Sequence, residues 1–130
     1  MNYLKGRKKM NEKIESILKY EGIFSVVAKG EDFPHIVNTW NSYVIFKNGE
    51  FFVPVAGMNK MQELLSKDNR VIVVIGTKEL MGLYGMGMGI KIIGQASILT
   101  DTKEHEDLKA KFEWARAVMK IEILEAYQTT

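Results

Sequence analysis

Apolar residues recur along this chain in two periods, and the switches between them divide it into elements. Ile14, Ile17 and Leu18 fall at i, i+3 and i+4, which predicts a short helix over 11–20, stopped by Gly22. Residues 23–28, Ile-Phe-Ser-Val-Val-Ala, predict a strand, and the turn Lys29-Gly30-Glu31-Asp32 with Pro34 separates it from a second strand beginning at His35. Lys47-Asn48-Gly49-Glu50 holds an Asn-Gly pair, which tolerates the positive φ angles of a tight hairpin, so residues 51–53 return antiparallel and Pro54 closes that strand. Met58, Met61, Leu64 and Leu65 form the buried stripe of a second helix, with Asn59 and Gln62 at capping-box spacing. Residues 70–76 are continuously apolar after Arg70 and predict a central strand; 90–99 and 118–124 predict two more. Between these, Asp101 and Glu104 open a third helix with Leu108, Phe112 and Ala115 on its apolar face. Trp114 lies about 120° away from Leu108 around that axis, so the helix ends near it or offers an indole elsewhere. About six strands and three helices with hairpin links predict a mainly-β antiparallel barrel with flanking helices.

Three stretches break the pattern. In Val37-Asn38-Thr39-Trp40-Asn41-Ser42-Tyr43 either face of a strand mixes apolar side chains with amides or hydroxyls, and asparagine is depleted in strands. Either a bulge or sheet edge satisfies those groups, or a flat, polar ligand does. In 81–89, Met-Gly-Leu-Tyr-Gly-Met-Gly-Met-Gly, four glycines exclude helix and regular strand and predict an apolar loop; it is no dinucleotide fingerprint, because a strand rather than a helix follows. Exposed methionines on such a loop suit a partner surface or a ligand wall. Third, Lys60 falls in the first turn of its helix, where the macrodipole repels a cation. An anion held between Lys60 and the free backbone amides, approached closely at Gly57, would reverse that; the plain alternative is a solvated lysine pointing away.

Composition narrows the chemistry. The 130 residues are 46% hydrophobic and 26% charged, one domain with a real core. There is no cysteine, which excludes disulfides, thiolate metal sites and cysteine nucleophiles and fits a cytoplasmic setting. A net charge of +2 is too small for a strong nucleic-acid field, although Lys5, Arg7, Lys8 and Lys9 cluster near the amino end. No apolar segment follows that cluster as a signal peptide requires, and nothing is long enough to span a membrane. Met10 is an alternative start. His105 sits among charges and is expected to be solvated, and His35 to be structural, so no general acid or base stands out.

The runs Val37-Asn38-Thr39-Trp40-Asn41-Ser42-Tyr43, Val53-Pro54-Val55-Ala56-Gly57-Met58-Asn59-Lys60 and Phe112-Glu113-Trp114-Ala115-Arg116-Ala117 resemble the small FMN-binding proteins of sulfate-reducing bacteria. These belong to the FMN-binding split-barrel superfamily, with pyridoxamine 5'-phosphate oxidases and ferric or flavin reductases. The resemblance covers residues 12–130, leaving 1–11 as a flexible amino-terminal extension. It implies FMN held non-covalently at a homodimer interface, its phosphate at the helix that begins near Asn59 and Lys60. It further implies that Asn38 and Thr39 bond the cofactor, that Trp40, Tyr43 and Trp114 line its ring, and that Pro54, Ala56 and Gly57 press backbone against it. Thr130 would cross to the partner's flavin. Met61 stands where the family has a threonine, removing one phosphate donor, and Ala56 replaces the first glycine of a Gly-Gly pair.

The resulting expectation is an FMN flavoprotein that carries electrons, with no catalytic side chain and no metal, served by a redox partner protein or a nicotinamide donor. Its rivals are an NAD(P)H-dependent flavin or metal reductase, or an oxidase of a pyridoxine-like substrate, against which no second cluster of basic residues is present. A non-redox dimeric module for another flat ligand, such as haem or a deazaflavin, is a further alternative. Nucleic-acid binding through residues 5–9 is the remotest, since no aromatic platform accompanies them.

Overall fold

The computed structural model describes residues 3–130. The elements run α1 (Tyr3–Leu18), β1 (Ile23–Ala28), β2 (His35–Trp40), a 3-10 turn (Asn41–Tyr43), β3 (Ile45–Lys47), β4 (Glu50–Val55), α2 (Asn59–Lys67), β5 (Arg70–Met81), β6 (Met86–Leu99), α3 (Lys103–Lys111) and β7 (Ala117–Gln128). All seven strands form one antiparallel sheet in the order β2-β1-β5-β6-β7-β4-β3. Its two edge strands, β2 and β3, are neighbours in sequence, so the 3-10 turn joins opposite margins of a sheet that curls into a half-barrel. The inner face carries Phe24, Val26, Phe51, Val53, Val73, Ile75, Ile90, Ile92, Met119 and Ile121, closed by Ile14 and Ile17 of α1. Phe24 and Phe51 meet edge to face at 5.1 Å in its middle. No helix among the described residues is long and apolar enough to cross a membrane.

The mainly-β barrel and its three helices are as the sequence pattern predicts, with seven strands in place of about six because the short β3 forms its own edge, and four local expectations change. The first helix starts at Tyr3, not near residue 11: Tyr3 and Met10 are buried, and the Tyr3 hydroxyl donates to Asn11 Oδ1. Residues 3–10 are thus packed on the domain, against the β3–β4 hairpin where a Cβ at Gly49 would come 2.7 Å from that hydroxyl. That hairpin does use Asn48 and Gly49 at φ 54° and 74°. The glycine-rich stretch is mostly strand: β5 runs on to Met81, β6 begins at Met86, and only residues 82–85 turn, closed by Gly82 N–H donating to Gly85 O at 2.7 Å. Pro54 lies inside β4, paired with Val118. It forfeits no ladder bond, because the Val55 carbonyl faces β7, accepting from Arg116 N at 2.9 Å, so Pro54's nitrogen faces the side where β3 has already ended. Thr102, rather than Asp101, caps α3 by accepting from His105 N at 3.0 Å.

Between β2 and β3 the polar run breaks the strand instead of lengthening it. Asn41 is 1% exposed, the one buried polar side chain among the described residues. Its backbone N–H donates to Gly22 O at 2.9 Å and its Nδ2 to Tyr20 O at 3.0 Å, while Oδ1 has no partner. Glu21 clamps the same turn from outside, accepting from Ser42 Oγ at 2.6 Å and Ser42 N at 3.1 Å. Those two bonds hold the Glu21 carboxyl below its ordinary pKa.

Candidate functional site

One strand end and one arginine build the amino end of α2. After Val55 the chain turns outward through Ala56 and Gly57, and Met58 adopts left-handed backbone at φ 58° and ψ 32°. Asn48 and Asp101 also have positive φ, but asparagine and aspartate tolerate that region through their short polar side chains, and methionine does not. Met58 O accepts the first helical bond from Gln62 N at 2.9 Å, and no side chain caps the helix. The amides of Asn59, Lys60 and Met61 therefore emerge with no acceptor inside the helix.

The capping box expected from Asn59 and Gln62 is not formed. Asn59 is the first residue of α2 rather than its cap, and both amide oxygens turn to Arg116, whose Nη2 lies 3.4 Å from Asn59 Oδ1 and 2.9 Å from Gln62 Oε1. The same guanidinium donates to Gly57 O at 2.6 Å and, through Nε, to Ala56 O at 2.8 Å. Around Gly57 there is open space, since a Cβ built there would meet nothing within 4 Å.

Lys60 occupies the first turn as expected, but it is not a free cation. Its ammonium lies 3.1 Å from Glu31 on the β1–β2 turn and 3.8 Å from Glu63. The hydrogen bond to Glu31, and then that carboxylate's charge, raise the Lys60 pKa; the same bond lowers that of Glu31. Met61 corrects another expectation. Its side chain is fully buried in the main core, so only its backbone N–H can face a ligand, and its lack of a hydroxyl removes nothing from the surface.

The other singled-out residues fall in separate places. Tyr43 and Trp114 gather around Phe112, at centroid distances of 4.4 Å for Tyr43–Phe112, 5.1 Å for Phe112–Trp114 and 6.1 Å for Tyr43–Trp114. The sequence reading assigns Phe112 to the core stripe; only its place between two other aromatics marks it. Trp114, 45% exposed, lies beyond the end of α3. Asn38 and Trp40 lie on the outer face of β2, with Asn38 Oδ1 accepting from Ser25 Oγ at 2.7 Å, whereas Thr39 falls on the opposite face. Pro54 is buried within β4. His105 is not solvated, since its Nε2 pairs with the Ala115 carbonyl at 2.9 Å and ties α3 to the segment leading to Arg116.

Thr130 closes a row across one end of the sheet. Trp40 pairs with Ile23, Gly76 with Gly89, and Thr129 N donates to Gly89 O at 2.8 Å, while a Cβ at Gly89 would come 2.9 Å from Thr130 Oγ1. Lys60 and Glu31 sit at the opposite end of β2, whose length separates His35 from Trp40 by about 16 Å. Cavities of about 340 Å3 flank α2 and β6, lined by Gln62, Ser66, Asn69 and Ser97, and β1 and β5, lined by Val27, Pro34, Ile72 and Ile93. Neither includes Lys60 or the aromatic trio. Among the described residues no group of three or more His, Asp and Glu side chains is arranged to hold a metal ion.

No family model matches the chain. Solved structures define its fold as the pyridoxamine 5'-phosphate oxidase-like split barrel. An FMN-binding protein from Syntrophomonas wolfei superposes with a TM-score of 0.71 at 12% identity, over 95% of this chain and 88% of that one. A protein assigned as a pyridoxamine 5'-phosphate oxidase from Listeria innocua gives 0.69 at 19% identity, over 92% and 98%. A nearer likeness is in sequence: the FMN-binding protein of Nitratidesulfovibrio vulgaris (strain Miyazaki F) is 41% identical over 114 residues, 87% of this chain and 93% of that protein. The chain belongs to the family of that FMN-binding protein.

Proposed function

We propose that the protein binds FMN non-covalently and serves as a cytoplasmic electron carrier, with the cofactor at the interface of a homodimer. The observation that carries this reading is the uncapped amino end of α2, in a chain 41% identical to a protein named for binding FMN. Three amides without helical acceptors, a cation in the first turn and an unfilled approach at Gly57 suit a phosphate monoester. When bound, the flavin supplies the one- and two-electron redox chemistry.

The chain's own residues bind, orient and shield. Asn59, Lys60 and Met61 offer backbone N–H groups to the phosphate, and Lys60 adds charge once it leaves Glu31. Tyr43 and Trp114 present ring faces that exclude water, with Phe112 behind them. Trp40 and Thr130 stand about a strand's length from Lys60 within one chain, so they reach a ligand held there most readily from a second copy. The outer face of β2, β1 and β5 supports that partner: Ile23, Ile36, Trp40, Ile72 and Val74 are exposed side by side. Reduction by a nicotinamide donor is the alternative activity of the same site. Anaerobic bleaching of bound flavin by NADH within seconds distinguishes it from a pure carrier.

The test is titration of the purified chain with FMN, followed by quenching of flavin fluorescence. Saturable binding is expected, weakened by at least about tenfold in Lys60→Ala, because a charge-assisted contact is lost. Absence of saturable binding would overturn the proposal.

A further inference from the structure

Arg116 turns two of its guanidinium nitrogens, Nε and Nη2, to the protein's own acceptors. Four oxygens surround the amino end of α2, those of Ala56, Gly57, Asn59 and Gln62, and all four accept from it. Two are side-chain oxygens that would otherwise be free to reach back to the first amides of the helix, as the Asn59–Gln62 spacing leads one to expect. The other two are carbonyls of the turn, whose partial negative charge would repel an anion arriving beside Gly57. Arg116 is itself set in place from β4, its N–H donating to Val55 O, and from α3, through His105 on Ala115 O.

We infer that Arg116 is a positioning residue that holds the turn carbonyls and amide oxygens at the amino end of α2 away from an incoming anion, and so selects a phosphorylated flavin over the same ring without its phosphate. This rests on the FMN reading above. The guanidinium acts by engaging these four oxygens, which leaves the amides of Asn59, Lys60 and Met61 open to an anion. A lysine cannot replace it fully, because a single ammonium has three donors and no planar fork to span two carbonyls and two amides. The uncharged ring and ribityl chain of riboflavin make no use of this arrangement, so Arg116 sets a ratio of affinities rather than overall affinity.

The experiment measures dissociation constants for FMN and riboflavin in the parent chain, Arg116→Ala and Arg116→Lys. Arg116→Ala is expected to weaken FMN about tenfold while riboflavin changes less than about twofold, with Arg116→Lys between. An unchanged ratio, or a parallel loss for both ligands, overturns the inference while leaving FMN binding intact. Should the parent bind neither flavin, the FMN reading fails on its own. The role of Arg116 is then decided by backbone amide NMR shifts on adding inorganic phosphate. Shifts at Asn59–Met61 in the parent that vanish in Arg116→Ala support that role; equal shifts in both, or none in the parent, overturn it. If Arg116→Ala does not fold, Arg116→Lys and Arg116→Gln carry the same comparison.

Discussion

Lys60 shows how a residue can be in the right place and still be occupied. A cation in the first turn of a helix is electrostatically misplaced, and the chain meets that with Glu31, a carboxylate from the β1–β2 turn. An anionic ligand has to compete with that carboxylate for the ammonium. Glu31→Gln should therefore tighten FMN binding, by up to about fivefold given the modest strength of an exposed ion pair. Titration of the variant against the parent checks this, and unchanged or weaker binding would mean that Glu31 does not compete. Lys60 was legible in the sequence because helix start and charge are both local. Glu31 was not, since nothing in the spacing of residues 31 and 60 announces that two turns meet.

At the scale of elements, the same division between local and distant causes decides what could be read. β1 and the β3–β4 hairpin follow from alternation and from Asn48-Gly49, both local. At Asn41 the sequence leaves a sheet edge and a flat ligand as alternatives, because the partners that decide for the edge, Gly22 O and Tyr20 O, lie some twenty residues back. The glycine-rich stretch predicts a loop because glycine has weak strand preference; pairing Gly76 with Gly89 and Met81 with Met86 imposes strand regardless. Apolar spacing starts α1 too late because Tyr3 packs beside Gly49, far along the chain, where a Cβ would meet its hydroxyl. The 3-10 turn carries a testable acid dependence. Glu21 has its pKa lowered in the folded chain by Ser42's hydroxyl and amide, so its contribution is complete above the unfolded carboxylate value of about 4.3 and is lost as pH falls through the lower folded value. An NMR acid titration should show the Ser42 amide moving with Glu21 below the unfolded carboxylate value, and Glu21→Gln should abolish that movement. A Ser42 amide that still titrates in the variant would place the dependence elsewhere.

For the whole molecule, the outer face of β2, β1 and β5 matters most. Val27 pairs with both Ile36 and Ile72, Ile23 with Trp40 and Ser25 with Val74, so the exposed apolar side chains share one face, interrupted by the Ser25–Asn38 hydrogen bond. A second copy can cover it isologously, each surface meeting its own twin. Ile36→Lys with Val74→Lys should leave the fold intact, since both side chains face outward, but shift the sedimenting species from dimer to monomer and cost FMN affinity. A parent chain that sediments as a monomer at micromolar concentration would remove the dimer from the account.

The hairpin between β5 and β6 has a consequence of another kind. Met81 and Met86 stand about 63% and 64% exposed at its tip, whereas Met61 and Met119 are fully buried. A thioether open to solvent is the first to become a sulfoxide when peroxide is present, and reduced flavin exposed to oxygen is a source of peroxide. Mass mapping after brief peroxide treatment should find oxygen at Met81 and Met86 well before Met61 or Met119, which would make this tip the place where the molecule records oxidative exposure.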